Sequence, residues 1–382
     1  MISLLTNLRV KFLSSVLVVY TFVPFSFAAK DVLETPAVQS SIAHQNLLLD
    51  VTAVGDRLVA VGARGHVLVS DDEGDNWRQI DTPVSVLLTA VSFADMRNGW
   101  VVGHGGVILN TQDGGDTWNK QFDGNAANQS IIKQAQDVIT QMEAELDAAS
   151  DEDAEDIEYE LEEAQYAFED AQVDAEVGAS KPFLDVYFDN KNVGFAVGAY
   201  GFIFKTIDGG NNWENYGLRM DNVDRFHLNT ITRIQGGDYL IAGEAGVMFR
   251  SEDEGESWET IDSPYDGSFF GLMGTGETDV ALAFGLRGNL FRSEDGGVSW
   301  EPLDSGTEST LMGGSYDGSG KVSIVGNSGT VLLSKDGGKS FSETIRANRL
   351  GNISLVYVDG RRLALVGESG VSITSPAGKN LQ

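Results

Sequence analysis

The chain has 382 residues, no cysteine and a formal net charge of −31 at neutral pH. Without cysteine it forms no disulfide and carries out no thiolate chemistry. Nucleic acid is excluded as a partner, because binding to phosphates needs clustered lysine and arginine. The same charge favours solubility and opposes contact with bare anionic lipid headgroups.

Residues 1–28 have the features of a secretory signal peptide. Arg9 and Lys11 precede an apolar run at residues 12–23, which is short for a membrane span. Residues 26–28 read Ser-Phe-Ala and resemble a cleavage site. An uncleaved N-terminal anchor is the alternative. We expect export to a periplasm, or to a thylakoid lumen in a photosynthetic source, with no direct membrane insertion after cleavage.

The pattern G-x-x-G-x-(apolar)-x-x-[S/T]-x-D-x-G-x-x-W organises most of the chain. Successive copies start about 41–45 residues apart, with one longer interval of 95 residues. The sixth copy has Phe341 in place of Trp, and the seventh ends without Asp, Gly or Trp. A fixed period of this length indicates a propeller or a solenoid. The opening glycines are Gly62, Gly103, Gly198, Gly243, Gly285, Gly326 and Gly367.

Each repeat contains four short apolar runs separated by turn residues, which predicts one four-stranded antiparallel blade. The Asp should accept backbone N–H groups in the turn between the third and fourth strands. The Trp should pack between blades. We therefore predict an all-β, seven-bladed β-propeller. Its structural Asp-box residues are Asp72, Asp113, Asp208, Asp253, Asp295 and Asp336.

The seventh copy lacks a fourth strand, and the N-terminus offers one. The sequence Leu33-Glu-Thr-Pro36 matches Ile80-Asp-Thr-Pro83, which ends the fourth strand of blade one. We expect this segment to complete blade seven and close the ring, which hides the sheet edges. The propeller then comprises residues 29–123 and 181–382.

The long interval contains an insertion, residues 124–180, with the composition of helices. Apolar residues from Ile131 to Leu146 form a stripe with a period of 3.6 residues. From Ile157 to Ala175 they alternate in steps of four and three, the spacing of a coiled-coil seam. We predict an antiparallel helical hairpin. It carries seventeen acidic residues between Asp137 and Glu176.

Three other residues of the second helix recur every seven positions and should face away from the seam: Tyr159, Tyr166 and Val173. Exposed aromatic residues at helical spacing indicate a partner surface. Packing against the propeller is the alternative.

The G-x-x-G turns and the links between blades should share one face of the ring, with the hairpin rising from it. Several arginines lie on that face, and arginine suits bidentate contacts with carboxylates or phosphates. Ion pairing with nearby acidic residues is the alternative. The partner-binding candidates on the face are Arg64, Tyr200, Arg219, Arg225, Arg287, Arg346 and Arg349.

The repeat from Val91 to Trp118, with Asp95, Gly99 and Gly103, resembles repeats of the photosystem II stability/assembly factor family. The resemblance covers nearly all of the chain outside the signal segment and the insertion. It implies a seven-bladed, non-enzymatic assembly factor on the lumenal side of a membrane, with an arginine patch that contacts the client. Relatives in bacteria without photosynthesis are often periplasmic.

Two other functions compete with this reading. Asp boxes also occur in sialidases, and Arg64, Arg287 and Arg346 with Tyr200 and Glu244 form one conceivable glycosidase site. A small-ligand or glycan carrier that uses the central channel is the non-enzymatic alternative. We predict a scaffold for a membrane protein complex, photosystem-like or an envelope transporter, that is monomeric alone and has no catalytic residue, cofactor or metal.

Overall fold

The computed structural model describes residues 31–150 and 152–381, so the predicted signal peptide lies outside the described residues. Seven antiparallel sheets follow one another along the chain, and the strands of each sheet pair in sequence order. Six sheets have four strands and the seventh has three.

The first three blades contain β1 (Leu48–Val54), β2 (Arg57–Gly62), β3 (Val67–Ser70), β4 (Arg78–Ile80), β5 (Leu88–Phe93), β6 (Gly99–Gly103), β7 (Ile108–Thr111), β8 (Asn119–Phe122), β9 (Phe183–Phe188), β10 (Gly194–Gly198), β11 (Ile203–Thr206) and β12 (Glu214–Asn215). Blades four and five contain β13 (Leu228–Arg233), β14 (Tyr239–Gly243), β15 (Met248–Ser251), β16 (Glu259–Thr260), β17 (Phe269–Gly274), β18 (Ala281–Gly285), β19 (Leu290–Ser293) and β20 (Glu301–Pro302). The last two contain β21 (Leu311–Tyr316), β22 (Val322–Gly326), β23 (Thr330–Ser334), β24 (Ser342–Ile345), β25 (Asn352–Asp359), β26 (Arg362–Gly367) and β27 (Gly370–Thr374).

The first strands of the blades form a closed inner ring. Each one contacts the first strand of the next blade, from β1 through β5, β9, β13, β17 and β21 to β25, and β25 contacts β1. The prediction of a seven-bladed propeller is therefore confirmed.

The core lies between neighbouring blades. Every residue of β6 is buried, because both faces of the strand are covered by other blades. Trp100 stacks on Phe188 of the next blade, with ring centroids 3.4 Å apart. Trp118 packs in a cluster that joins blades one and two. One blade cannot bury both of its faces, so the ring is the smallest stable unit.

The Asp boxes fold as local hydrogen-bonded turns. In blade two, Thr111 Oγ1 accepts from the backbone N–H of Gly115 at 2.9 Å, and Asp113 accepts from that of Thr117 at 2.9 Å. In blade four, the Ser257 hydroxyl and backbone N–H groups hold the pKa of Asp253 at about 2. The same N–H bond is made by Asp72, Asp113, Asp208, Asp253, Asp295 and Asp336.

The N-terminal segment does not add the expected fourth strand to blade seven, whose sheet contains only β25, β26 and β27. Leu33 is instead buried in the cluster of blades one and two. The backbone N–H of Ala37 donates to Thr82 O at 3.1 Å. Eleven residues separate Pro36 from Leu48, against four between Pro83 and Leu88. The longer connection lets the segment cross blade one.

The insertion forms the predicted hairpin, with α1 (Gly124–Ala148) and α2 (Ala154–Val177). Asp123 caps α1 by accepting from two backbone N–H groups, and Gly178 ends α2 at a φ of +84°. A Cβ on Gly106 would lie 2.8 Å from Gly124 Cα. The hairpin therefore begins beside the G-x-x-G turn of its own blade, as predicted.

Candidate partner-binding surface

The G-x-x-G turns hold their third residue in an unusual backbone conformation. Arg64, Tyr200 and Arg287 have φ of 59°, 58° and 56°, in the left-handed region that non-glycine residues seldom adopt. The surroundings of the glycine that follows explain this backbone conformation. A Cβ at Gly65 would lie 2.1 Å from the carbonyl oxygen of Val84, so turn and inter-blade link are in close contact. Turns and links share one face, as predicted.

Three of the candidate arginines on this face are available to a partner. Arg64 and Arg287 are exposed at the tips of their turns, and Arg349 is exposed in the link after β24. None of the three makes an ion pair within the described part of the chain. Their guanidinium groups therefore remain free for an external carboxylate or phosphate.

Arg219 contacts two residues of the ring. Its Nη1 lies 2.7 Å from Glu256 Oε2, and its guanidinium stacks 4.1 Å from the centre of the Tyr216 ring. Glu256 belongs to the Asp-box turn of blade four. Arg219 therefore joins blades three and four, so its contacts favour a structural role, and partner binding by Arg219 stays a prediction.

Arg346 is also structural. Its residue is 5% exposed, and burial lowers its pKa. Nη1 donates to Asn352 Oδ1 at 2.6 Å and Nη2 to Asn380 Oδ1 at 3.0 Å. The side chain thus fastens the C-terminal tail to blade seven and is closed to a partner. The conceivable glycosidase site loses one of its three arginines for the same reason.

A further group lies where blades three and four meet the hairpin. Arg225 Nη2 is 3.7 Å from Asp170 Oδ2 of α2. Tyr200 is 54% exposed, and its ring meets that of His227 edge-on with centroids 4.9 Å apart. His227 Nδ1 is 3.8 Å from Glu244. Arg225 and Tyr200 are thus accessible candidates, and Arg225 can exchange a weak internal partner for an external one.

The hairpin exposes the three residues that its spacing singled out. Tyr159, Tyr166 and Val173 are 64%, 56% and 62% exposed, whereas the seam residues Ile157 and Leu161 are partly buried. Among the described acidic residues from 137 to 176, only three have a cation within ion-pair distance. The outer side of α2 therefore offers apolar side chains among unpaired carboxylates.

A second apolar feature was missed by the sequence reasoning. A cleft of about 410 Å³ lies between the hairpin and the link that follows β12. Ala167 and Ala171 line one wall, and Leu218, Met220 and Val223 line the other. The sequence signal that could have revealed this cleft is the run of apolar residues inside a predicted link, together with the alanines at helical spacing in α2.

Two carboxylates lie on the inner strands, at positions that sequence reasoning also missed. Asp50 accepts from the Val91 N–H at 2.8 Å and from the Ser354 hydroxyl at 2.6 Å, and burial raises its pKa to about 6. Asp185 accepts from the Ile231 N–H at 2.9 Å. Burial and then the charge of Asp50 raise its pKa to about 7. Each carboxylate links its own blade to the next.

Within residues 31–150 and 152–381, no three acidic or histidine side chains converge in a way that would hold a metal ion. Neither α1 nor α2 has an apolar stretch long enough to cross a membrane.

The ring, its Asp-box turns and its exposed cations define an Asp-box β-propeller with an inserted helical hairpin. The chain belongs to the family described as "Photosynthesis system II assembly factor YCF48", which matches residues 69–138 and 163–312. The unmatched stretch between these ranges is the tip of the hairpin. Members of the family are thus assembly factors by description.

Individual relatives match over shorter stretches. The "Photosystem II assembly lipoprotein Ycf48" of Synechococcus sp. (strain CC9902) is 32% identical over 102 residues, 26% of this chain and 30% of that protein. The solved structure "YCF48 bound to D1 peptide" has a TM-score of 0.60 at 16% identity, covering 89% of this chain and 95% of that one. "YCF48 from Cyanidioschyzon merolae" has the same score and identity, covering 88% and 98%. At such identities these two structures support the fold alone.

Proposed function

We propose that the chain is an exported, non-enzymatic scaffold that binds a segment of a membrane protein complex and assists its assembly. One observation carries the proposal: Arg64, Arg287 and Arg349 are exposed and unpaired on one face of a chain whose net charge is −31. Many other cations of the ring pair with acids, as Arg250 does with Asp238 at 2.7 Å, and the unpaired Lys335, Lys339 and Arg361 lie away from this face. Cations kept free in an acidic protein favour recognition of an acidic segment.

Family membership supports the same proposal. A relative was solved with a peptide from D1, so peptide binding is compatible with this fold. In a photosynthetic source the first client to test is photosystem II, in the lumen. In another bacterium an envelope transporter is our candidate, with the scaffold in the periplasm. The hairpin provides a second contact, and two linked contacts raise avidity.

The test is affinity capture from solubilised membranes of the source organism. A triple variant, Arg64→Glu, Arg287→Glu and Arg349→Glu, should lose about tenfold or more of the client captured by the unchanged chain. A matched control reverses three exposed cations of the Asp-box side and the β25–β26 turn: Lys335→Glu, Lys339→Glu and Arg361→Glu. The control has the same net charge and should capture normally. Equal capture by both variants and the unchanged chain would contradict the role of this face.

A small-ligand or glycan carrier remains the second candidate function. The carboxylates Asp50 and Asp185 on the inner strands favour a polar ligand in the channel over an apolar one. Binding of a glycan panel to the triple variant and to the unchanged chain with equal affinity, together with no membrane client, would favour this function.

A further inference from the structure

The cleft between the hairpin and blade three has two walls of different origin. One wall consists of small side chains of α2, Ala167 and Ala171, together with Val138 of α1. The other wall is the link between blades three and four, with Leu218 and Val223. Reciprocal hydrogen bonds between two lining residues join α1 to β12: Gln134 Nε2 donates to Asn215 O at 3.1 Å, and Asn215 Nδ2 donates to Gln134 Oε1 at 2.7 Å. The hairpin is therefore attached to blade three beside the cleft.

Its apolar rim is exposed to solvent. Leu218 is 69% exposed and Val223 is 86% exposed, although both lie in a link where polar residues would satisfy the fold equally well. Apolar side chains gathered at a concave surface are characteristic of a binding site. The volume of about 410 Å³ is enough for a few side chains of a bound segment.

The charges at the cleft select the kind of partner. Both of its cations already have acidic neighbours: Lys181 Nζ is 2.5 Å from Asp174, and Arg225 is 3.7 Å from Asp170. Asp221 and Asp224, which flank Val223, are exposed and have no cation within ion-pair distance in the described chain. The unbalanced charges are therefore negative.

We propose that this cleft binds the apolar side chains of a basic amphipathic segment of a partner protein. The apolar residues of the segment enter between α2 and the link, and its lysines or arginines meet Asp221, Asp224 and the acidic hairpin. The inference builds on the proposed function, because it gives the hairpin's contact a location and a chemistry. It concerns a different surface from that of Arg64, Arg287 and Arg349, and a segment of opposite charge.

The probe is a synthetic Leu–Lys peptide of helical period, with two companions: the same peptide with Glu for Lys, and the same peptide with Ser for Leu. The chain has no cysteine, so Ala167→Cys gives a single attachment point for a fluorophore inside the cleft. Leu–Lys peptide should change that fluorescence and bind unlabelled protein in calorimetry. The Leu–Glu and Ser–Lys peptides should bind about tenfold or more weakly, since each lacks one of the two complementary features.

Matched variants locate the binding. Leu218→Ser with Val223→Ser removes the apolar rim without changing any charge, and should weaken Leu–Lys binding about tenfold or more. Ile207→Ser with Val298→Ser makes the same kind of change at exposed residues of two Asp-box turns, away from the hairpin, and should leave the affinity within about twofold. Equal loss in both double variants, or binding of the Ser–Lys peptide as tight as that of Leu–Lys, would overturn the proposal. So would cleft occupancy by a fluorescent fatty acid but by no peptide, which would make the site a lipid-chain pocket.

Membrane capture with the Leu218→Ser, Val223→Ser variant separates this inference from the proposed function. Capture reduced only in this variant and not in the Ile207→Ser, Val298→Ser variant would support the cleft. A client captured equally by both double variants and the unchanged chain would leave the scaffold role intact and remove the cleft from it. Peptide binding in the cleft without any captured membrane protein would support the cleft and count against the scaffold role.

Discussion

Aromatic and charged residues have different environments in the ring and in the hairpin. In the ring, Trp100 is 1% exposed and stacked, whereas Tyr159 of the hairpin is 64% exposed. Many ring cations, such as Arg250, are paired with acids, whereas most described acids of the hairpin have no cation within ion-pair distance. Stability accounts for the residues of the ring. It does not account for aromatic residues kept in water on α2, where partner binding stays a prediction.

We expect the largest effect on stability when an aromatic side chain is removed from the propeller core, compared with the same change on the hairpin. Trp100→Ala deletes a fully buried indole that stacks on Phe188 at 3.4 Å, and should lower the free energy of unfolding by about 3–5 kcal/mol. Tyr159→Ala removes a ring from solvent and should change it by less than about 0.5 kcal/mol. Urea unfolding followed by tryptophan fluorescence and circular dichroism measures both. Similar losses in the two variants would mean that the hairpin belongs to the core.

Excising the hairpin tests how far the ring depends on it. The two ends of the insertion meet, since a Cβ on Gly124 would lie 2.9 Å from Ala179 Cα, so residues 125–178 can be replaced by a short glycine linker. Ala127 and Ile131 pack beside Phe183 and would be lost. The free energy of unfolding of the ring should therefore fall by about 2 kcal/mol, with the propeller retained. Loss of the β-sheet signal in circular dichroism would contradict an independent ring.

A titration of the inner strands sharpens the comparison, because the carboxylates whose pKa is raised by burial lie in the ring. The pKa of Asp185 is about 7 in the folded chain, above its ordinary value of 3.8. A raised pKa of an acid means that the folded state binds the proton more tightly than the unfolded state. The contribution of Asp185 to stability is thus largest below about pH 4 and is lost as the pH rises towards 7.

Asp185→Asn removes this dependence while its amide oxygen can still accept from the Ile231 N–H. The variant should gain about 1–2 kcal/mol relative to the unchanged chain between pH 4 and pH 8. Denaturant unfolding across that range gives the difference directly. Asp137→Asn on the hairpin is the matched control at an exposed site, since Asp137 pairs with the exposed Lys133. If the difference in unfolding free energy between Asp185→Asn and the unchanged chain did not vary with pH, the inner carboxylate would be well solvated.

Much of the fold was predictable because its determinants are local. The Asp-box bonds join residues only four positions apart, such as Asp113 and Thr117, so one repeat contains all the information. The helical seam is equally local: Ile157 and Leu161 are partly buried and Tyr159 between them is exposed, as their spacing indicates. A repeated local pattern therefore predicts the blade, and the number of copies predicts the ring.

The features that were missed depend on residues distant in sequence. Glu256, which binds Arg219, lies on another blade, and Asn380, which binds Arg346, lies in the C-terminal tail. Neither pairing has a periodic signature. The prediction for the N-terminal segment was wrong for a related reason. Leu33 matches the end of a fourth strand, but that match carries no information about the distant residues that bury Leu33. The cleft is likewise formed by two segments that meet only in the folded chain.

The smallest expected effects distinguish two arginines that look alike in the sequence. Arg219→Met removes an ion pair with Glu256 and a contact with the Tyr216 ring, both partly exposed, and should cost about 0.5–1 kcal/mol of unfolding free energy. The loss should shrink in 1 M salt, where the ion pair is screened to a range of about 3 Å. Arg64→Met has no internal partner to lose and should leave stability unchanged within error. Client capture should show the opposite ranking: Arg64→Met should reduce capture, and Arg219→Met should leave it unchanged. If Arg219→Met lost the client while keeping full stability, Arg219 would return to the recognition surface, and the division between structural and free arginines would have to be redrawn.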